Sequence, residues 1–209
     1  MSAVGKQFSL EDRLRTLTVE PWRNGGGITR TLATGGGAQG SGDWHWRLSV
    51  AEIERDGAYS RFDGMDRWQA LIGGDAVLLR GARGTRCLAS AGEVFAFTGE
   101  EDVHAQLPAG PVRMWNLMVR RGAAVGELVR RVLVAGEALA LPSLEGDAHG
   151  WVLVLAGGLA STDAGSPLGA GEVLARVAPA SFLQVRATRD GTVVLVTRCA
   201  SAGAAQRAV

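Results

Sequence analysis

The chain has 209 residues, enough for one large or two small domains and for a useful core without covalent staples. Its 22 basic and 21 acidic residues leave a net charge of +1, and no basic run is interleaved with aromatics, so nucleic acid and anionic membrane are set aside as partners. Met1 to Gln7 has no apolar h-region, and the longest apolar run, Trp151 to Ala160, is too short to span a bilayer and contains two glycines. The expectation is a soluble, cytoplasmic protein in which Cys87 and Cys199 are free, buried thiols. The 30 glycines, set among short strand-like runs, favour an all-β chain rich in turns.

Phe8 to Val19 is ambiguous between a short helix and a strand, and Pro21 stops any helix at about Glu20. Then comes Pro21-Trp22-Arg23-Asn24-Gly25-Gly26-Gly27-Ile28-Thr29. Gly25, Gly26 and Gly27 tolerate positive φ and close approach. Two readings stay open: a tight turn between strands, or a loop along a pocket with Asn24 and Thr29 as polar contacts. Ile28 to Ala33 reads as a strand and Thr34 to Asp43, with five glycines, as a flexible loop.

Trp44 to Val50 alternates with period two, placing Arg47 and Ser49 on the face opposite Trp44, Trp46 and Leu48. Asp56-Gly57 is a turn, and Ser60 to Asp66 a polar loop flanked by Arg61 and Arg67. Strands follow at Trp68 to Ile72, Ala76 to Arg80, Glu93 to Thr98 and Val112 to Val119. Gly122 to Leu133 fits a helical linker, with Val125, Leu128, Val129 and Val132 at spacings of three and four. Strands resume at Trp151 to Leu155, Glu172 to Val177, Phe182 to Ala187 and Val193 to Thr197, and Ala200 to Val209 is expected to be a disordered tail. Trp68 before Gly73-Gly74 resembles Trp151 before Gly157-Gly158, and Ala91-Gly92-Glu93-Val94 recurs as Ala170-Gly171-Glu172-Val173. Both echoes share an offset of about eighty positions, which suggests a duplicated β unit.

Metal and nucleophile chemistry find little support. His45, His104 and His149 are scattered and form no His-x-His pair, whereas a metal needs converging ligands. Neither cysteine has a His nearby in sequence, no Gly-x-Ser-x-Gly elbow is present, and the glycine motif lacks the strand–helix context of a dinucleotide site. No cofactor and no metal are expected. Asn116 lies among apolar neighbours, so it either pins a loop or faces a ligand. Arg61 and Arg67 suit a carboxylate at a pocket mouth, with Trp22 and Trp68 as apolar walls. The alternative is surface pairing of Arg67 with Asp63 or Asp66.

Trp22-x-Asn24-Gly25-Gly26-Gly27-x-Thr29 resembles the HutD/Ves family of cupin-like proteins. Further matches follow in order: Trp46 to Ala51, Gly57 to Phe62 with Gly64, Asp66 and Arg67, and Asn116 to Gly122. They span about three fifths of the chain, and the C-terminal part matches only by pattern. The resemblance implies two cupin-like, jelly-roll type β-barrels, in residues 1–122, with the pocket, and 123–209, with Phe8 to Thr18 crossing to complete the second. It implies a role linked to histidine utilisation or a related stress response. The expected function is metal-independent binding of a small acidic metabolite, with Arg47 and Arg67 holding the acid and Asn24, Ser49 and Asn116 orienting it. The alternatives are a cupin enzyme acting on a small acid or sugar through His104 with Glu101 or Asp102, and a regulatory protein-binding module. A homodimer is expected by analogy of fold.

Overall fold

The computed structural model describes residues 5–37, 43–161 and 166–202. The chain opens with β1 (Lys6–Ser9) and α1 (Leu10–Arg15). Next come β2 (Glu20–Pro21), β3 (Gly27–Gly35), β4 (Trp46–Ile53), β5 (Gly57–Ala58), β6 (Met65–Gly73), β7 (Val77–Gly81), β8 (Gly84–Leu88), β9 (Val94–Thr98), β10 (His104–Gln106) and β11 (Val112–Arg120). The last strands are β12 (Ala124–Leu133), β13 (Ala138–Leu141), β14 (His149–Ala156), β15 (Gly158–Ser161), β16 (Leu168–Gly169), β17 (Glu172–Val177), β18 (Leu183–Ala187) and β19 (Thr192–Ser201). They form two compact units, Leu17–Ala124 and the described residues up to Thr16 together with those from Val125 onward.

The Leu17–Ala124 unit is a sandwich of a six-stranded sheet, in the order β2-β3-β4-β11-β6-β9, and a four-stranded sheet, β5-β10-β7-β8. Ile53, Leu71 and Met114 from the larger sheet meet Val77, Leu79, Leu88 and Ala105 from the smaller to make its core. Strand alternation puts Arg47, Ser49 and Ala51 in phase with Ile53, and Asn116 and Met118 in phase with Met114. The polar residues therefore share the inner face, one end of which is core. The opposite face is buried too: Trp46, Leu48, Trp115 and Leu117 are at most 1% exposed. Trp68, being out of phase with Arg67 and Gln69, lies on that opposite face.

The second unit pairs a five-stranded sheet, β1-β17-β14-β19-β12, with a four-stranded one, β13-β18-β15-β16. Leu141, Val152, Val154, Leu174, Val185 and Val194 lie in its core. Of the stretch Phe8 to Thr18 expected to cross to this half, Phe8 and Ser9 do so within β1, which pairs with β17 from Lys6↔Ala175 to Ser9↔Glu172. Ser9 then caps α1 by accepting from the Asp12 N–H. The sheets of both units remain open-edged, so neither is a closed barrel.

The echoed segments occupy matching places. Gly92 N–H donates to Leu71 O at 2.7 Å, and Gly171 N–H to Val154 O at 2.8 Å, both glycines having φ near 80°. Each of these strand pairs is joined on its other side through a bulge, at Arg113/Met114 in one unit and Val154/Ala156 in the other.

Several expectations are corrected. Gly122 to Leu133 is no helix: Ala124–Leu133 is β12, hydrogen-bonded to β19. The valines at 125, 129 and 132 are β-branched and favour a strand, and the sheet edge gives their backbone partners that an isolated helix would lack. β3 runs on to Gly35, into the stretch read as a loop, and Ala200 and Ser201 belong to β19; residues 38–42 and 203–209 lie outside the described ones. Cys87 is exposed on β8, while Cys199 is buried.

Among the three consecutive glycines only Gly25 needs positive φ (65°). Gly27 is required for room, since a Cβ there would sit 2.2 Å from Glu52 O across the ladder. Gly27→Ala should therefore destabilise the fold by roughly 2 kcal/mol or more. Gly57→Ala, whose Cβ would meet nothing closer than 3.6 Å, is the control. Urea denaturation of the two variants against wild type checks this, and equal midpoints would refute it.

Candidate functional site

A cavity of 460 Å³ opens at the polar end of the inner face of the Leu17–Ala124 unit. Register builds its floor. Ser49, Asn116 and Gln69 are cross-strand neighbours on β4, β11 and β6. The next row is Arg47, Met118 and Arg67, with Phe97 beside Arg67 on β9. Trp22, Thr29, Tyr59, Ser60, Arg61 and Phe62 form walls, and Glu20 and Arg23 the rim.

Seven of the anticipated residues line this space: Trp22, Thr29, Arg47, Ser49, Arg61, Arg67 and Asn116. Asn24, Gly25, Gly26 and Gly27 do not; they make the turn beside it. The Asn24 side chain accepts from Gly26 N–H at 2.9 Å and donates to Ala58 O at 3.0 Å, so it fixes the loop that Tyr59 follows. Trp68 is absent from the walls because it faces the other way. Sequence reasoning missed Tyr59, Phe62, Gln69 and Glu20. Gln69 was discoverable, since alternation from Leu71 puts it on the floor.

Arg67 is the centre of the site. It is 7% exposed, and its guanidinium carbon lies 4.5 Å from the Phe97 ring centre, 5.2 Å from Phe62 and 5.7 Å from Tyr59. These faces give a cation an electrostatic substitute for water. One Nη donates to Ser60 O at 3.0 Å, while Nε has no partner. Neither Asp63 nor Asp66 pairs with it: Asp63 faces Arg61 at 3.9 Å and Asp66 binds Arg121 at 2.9 Å. Burial holds the Arg67 pKa down to about 10; Tyr59 opposes that lowering and the like charge of Arg47 adds to it.

Arg47 sits over Trp44 at 4.9 Å and Phe62 at 5.6 Å, and donates to Met118 Sδ at 3.6 Å. Its nearest carboxylate, Glu20, is 3.9 Å away, beyond hydrogen-bond reach. Burial lowers its pKa, with Glu20 opposing. Asn116 donates only a long bond, 3.4 Å to Met114 O, and its buried Oδ1 has no partner. Tyr59 O–H donates to Gln69 Oε1 at 3.0 Å, and burial pushes its pKa well up, so it stays a neutral donor. Trp22 Nε1 donates to Thr29 Oγ1 at 2.9 Å and its ring meets Tyr59 edge-on. The arrangement offers two closely placed cations, an aromatic wall and a row of neutral polar groups, which suits an anion with polar substituents.

The groups suggested for acid–base chemistry are elsewhere. His104 is exposed on β10, Glu101 binds Arg83 and Asp102 binds Arg61, and none of the three lines the cavity. No group of three His, Cys, Asp or Glu able to hold a metal occurs among the described residues. No helix among them is long and apolar enough to cross a membrane.

Residues 14–195 match the HutD family. The chain belongs to this family. It is 37% identical over 108 residues to Protein Ves of Escherichia fergusonii, covering 51% of this chain and 56% of that protein. It is 38% identical over 99 residues to an uncharacterised 21.2 kDa protein in the hutC 3′ region of Pseudomonas putida, covering 47% and 51%. The chain thus spans about half the length of the curated relatives it matches. Among solved structures, HutD from Pseudomonas fluorescens SBW25, described for a formate condition, superposes with a TM-score of 0.72 at 26% identity, over 90% of this chain and 96% of that one. A cupin 2 conserved barrel domain protein from Leptotrichia buccalis gives 0.56 at 14% identity over 93% and 96%, a likeness of fold. This member of the HutD family is therefore all-β and cupin-like.

An unneutralised buried charge costs stability, and an apolar replacement of similar volume relieves that cost. Arg67→Met should leave the unfolding free energy measured by urea denaturation unchanged or raise it, by up to about 2 kcal/mol. A loss of stability in that variant would mean that the guanidinium serves the fold instead.

Proposed function

We propose that this chain is a metal-independent binding protein for a small acidic metabolite, whose carboxylate lies against Arg47 and Arg67. The observation that carries this reading is a pair of guanidiniums in one cavity, Arg67 buried and Arg47 partly so, neither of which has a carboxylate within hydrogen-bond distance. Two like charges held close in a low-dielectric site raise each other's energy, and an anion between them lowers it. Ser49, Gln69 and Asn116 supply neutral donors and acceptors in the next row, so the ligand carries polar groups beyond its acid. The volume suits a metabolite.

The setting is histidine utilisation. The Pseudomonas putida relative is named for its place in the hutC 3′ region, which supports this setting. With this reading go a cytoplasmic location, two cupin-type β units derived by duplication and, by analogy of fold, a homodimer.

Thermal shift with and without a chelator tests it, using histidine, urocanate, glutamate, N-formylglutamate, formate, sugars and divalent metals. A ligand that binds only the folded chain at a hundredfold excess over Kd adds about 2.7 kcal/mol. One pathway acid is expected to raise Tm independently of chelator, and Arg47→Ala to abolish that response with its fold intact. Flat responses to every acid, or unchanged affinity in Arg47→Ala, would overturn the assignment.

A further inference from the structure

The second unit has a cavity of its own, of 170 Å³. Its place follows from the bulges. Counting from the bulge in the Leu17–Ala124 unit, the pairs are Leu71↔Met114, Gln69↔Asn116 and Arg67↔Met118, with Phe97 beside Arg67. Counting from the bulge in the second unit, they are Val154↔Val194, Val152↔Val196 and Gly150↔Arg198, with Arg176 beside Gly150. The amide row of the first cavity is thus replaced by two valines. The buried guanidinium is kept in the same row but moved one strand over, and glycine occupies the position it left.

Arg176 is 4% exposed. Its Nη groups donate to Pro142 O at 3.0 Å and to Ser181 O, and its Nε has no partner. No carboxylate pairs with Arg176 or Arg198 among the described residues, and the like charge of Arg198 adds to the effect of burial in lowering the Arg176 pKa. Pinning two carbonyls would need neither Arg198 nor an adjoining cavity. Leu141, Leu144, Val152 and Val196 form its apolar wall, and Glu127, Arg131 and the exposed Arg198 also line it. A side chain at Gly150 would enter this space, since a Cβ there meets nothing closer than Leu144 Cδ1 at 3.5 Å.

We propose that this cavity is a second ligand site, for one small monocarboxylate with an apolar body. Arg176 and Arg198 attract the carboxylate, and the valines and leucines cover the rest. Where the first cavity has its amide row this one has Val152 and Val196, so ligand polar groups placed on that row go unpaired and are disfavoured there. The two sites of the chain therefore differ in selectivity while sharing a cationic row.

Methyl-resolved NMR of the full chain, titrated separately with benzoate and glutamate, tests the proposal. Benzoate is expected to shift the methyl signals of Leu144, Val152 and Val196 saturably. Arg198→Ala, which leaves the loop bonds of Arg176 alone, should weaken that binding roughly tenfold. Gly150→Leu, which fills the cavity, should abolish it. Arg67→Met, in the other unit, should leave these shifts as they are, so the two sites stand or fall separately. Absence of a saturable shift in the wild type, or an identical curve in Arg198→Ala, overturns the site. Equal binding of glutamate and benzoate overturns the ligand class.

Discussion

Cross-strand register is the constraint on which this cavity depends. Arg47, Met118, Arg67 and Phe97 come from four strands that are far apart in the chain, and only the pairings of β4, β11, β6 and β9 bring them into one row. A slip of one residue would turn every side chain of a strand to the other face. Both faces of the central strands are buried, so a slip would bury guanidiniums among Trp46, Trp115 and Leu117 and expel core residues. Core packing at Ile53, Leu71 and Met114 therefore fixes the geometry of the polar end of the same strands. Stability and site are linked through the ladder, without a direct bond between them.

The charge at Arg67 is the second theme. Its environment gives it π faces and one carbonyl, but no anion. Such a group is a poor choice for stability alone, because burial disfavours it and the acids nearby in sequence are engaged elsewhere. Violations of this kind concentrate where a protein binds something. The same logic applies to Asn116, whose carbonyl oxygen is buried without a partner.

The legible part of the sequence was the part governed by local rules. Alternation placed Arg47 with Ser49 and Asn116 with Met118, and the glycine run announced a turn. What it could not settle was which face of β4 is the inner one, since Trp46 and Ser49 are both buried for different reasons. Arg67 was assigned to a loop because the apolar run starts at Trp68, which hid Gln69 and left Trp68 as a false wall. β12 shows the limit of periodicity: valines spaced by three and four fit a helix, and only the free edge of β19 decides for a strand. β8 and β10 are short and largely exposed, so they carry little hydrophobic signal. Asn24 and its glycines kept two readings open, and the geometry makes them the scaffold of the neighbouring loop.

The floor and the wall of the first cavity are held by different forces. The floor is laid on buried ladder strands. The wall, Tyr59 to Phe62, is tied to the floor by Tyr59 O–H to Gln69 and Arg67 to Ser60 O, and its outer end at Phe62 rests also on partly exposed contacts: Gly64 N–H to Glu100 at 2.7 Å, Arg121 to Asp66 at 2.9 Å and to Glu100, and Phe62 N–H to Gly99 O at 2.8 Å. Surface charges of this sort are screened by salt, whereas a packed floor is not. The floor of the cavity is thereby insulated from ionic strength, and the outer end of its wall is exposed to it.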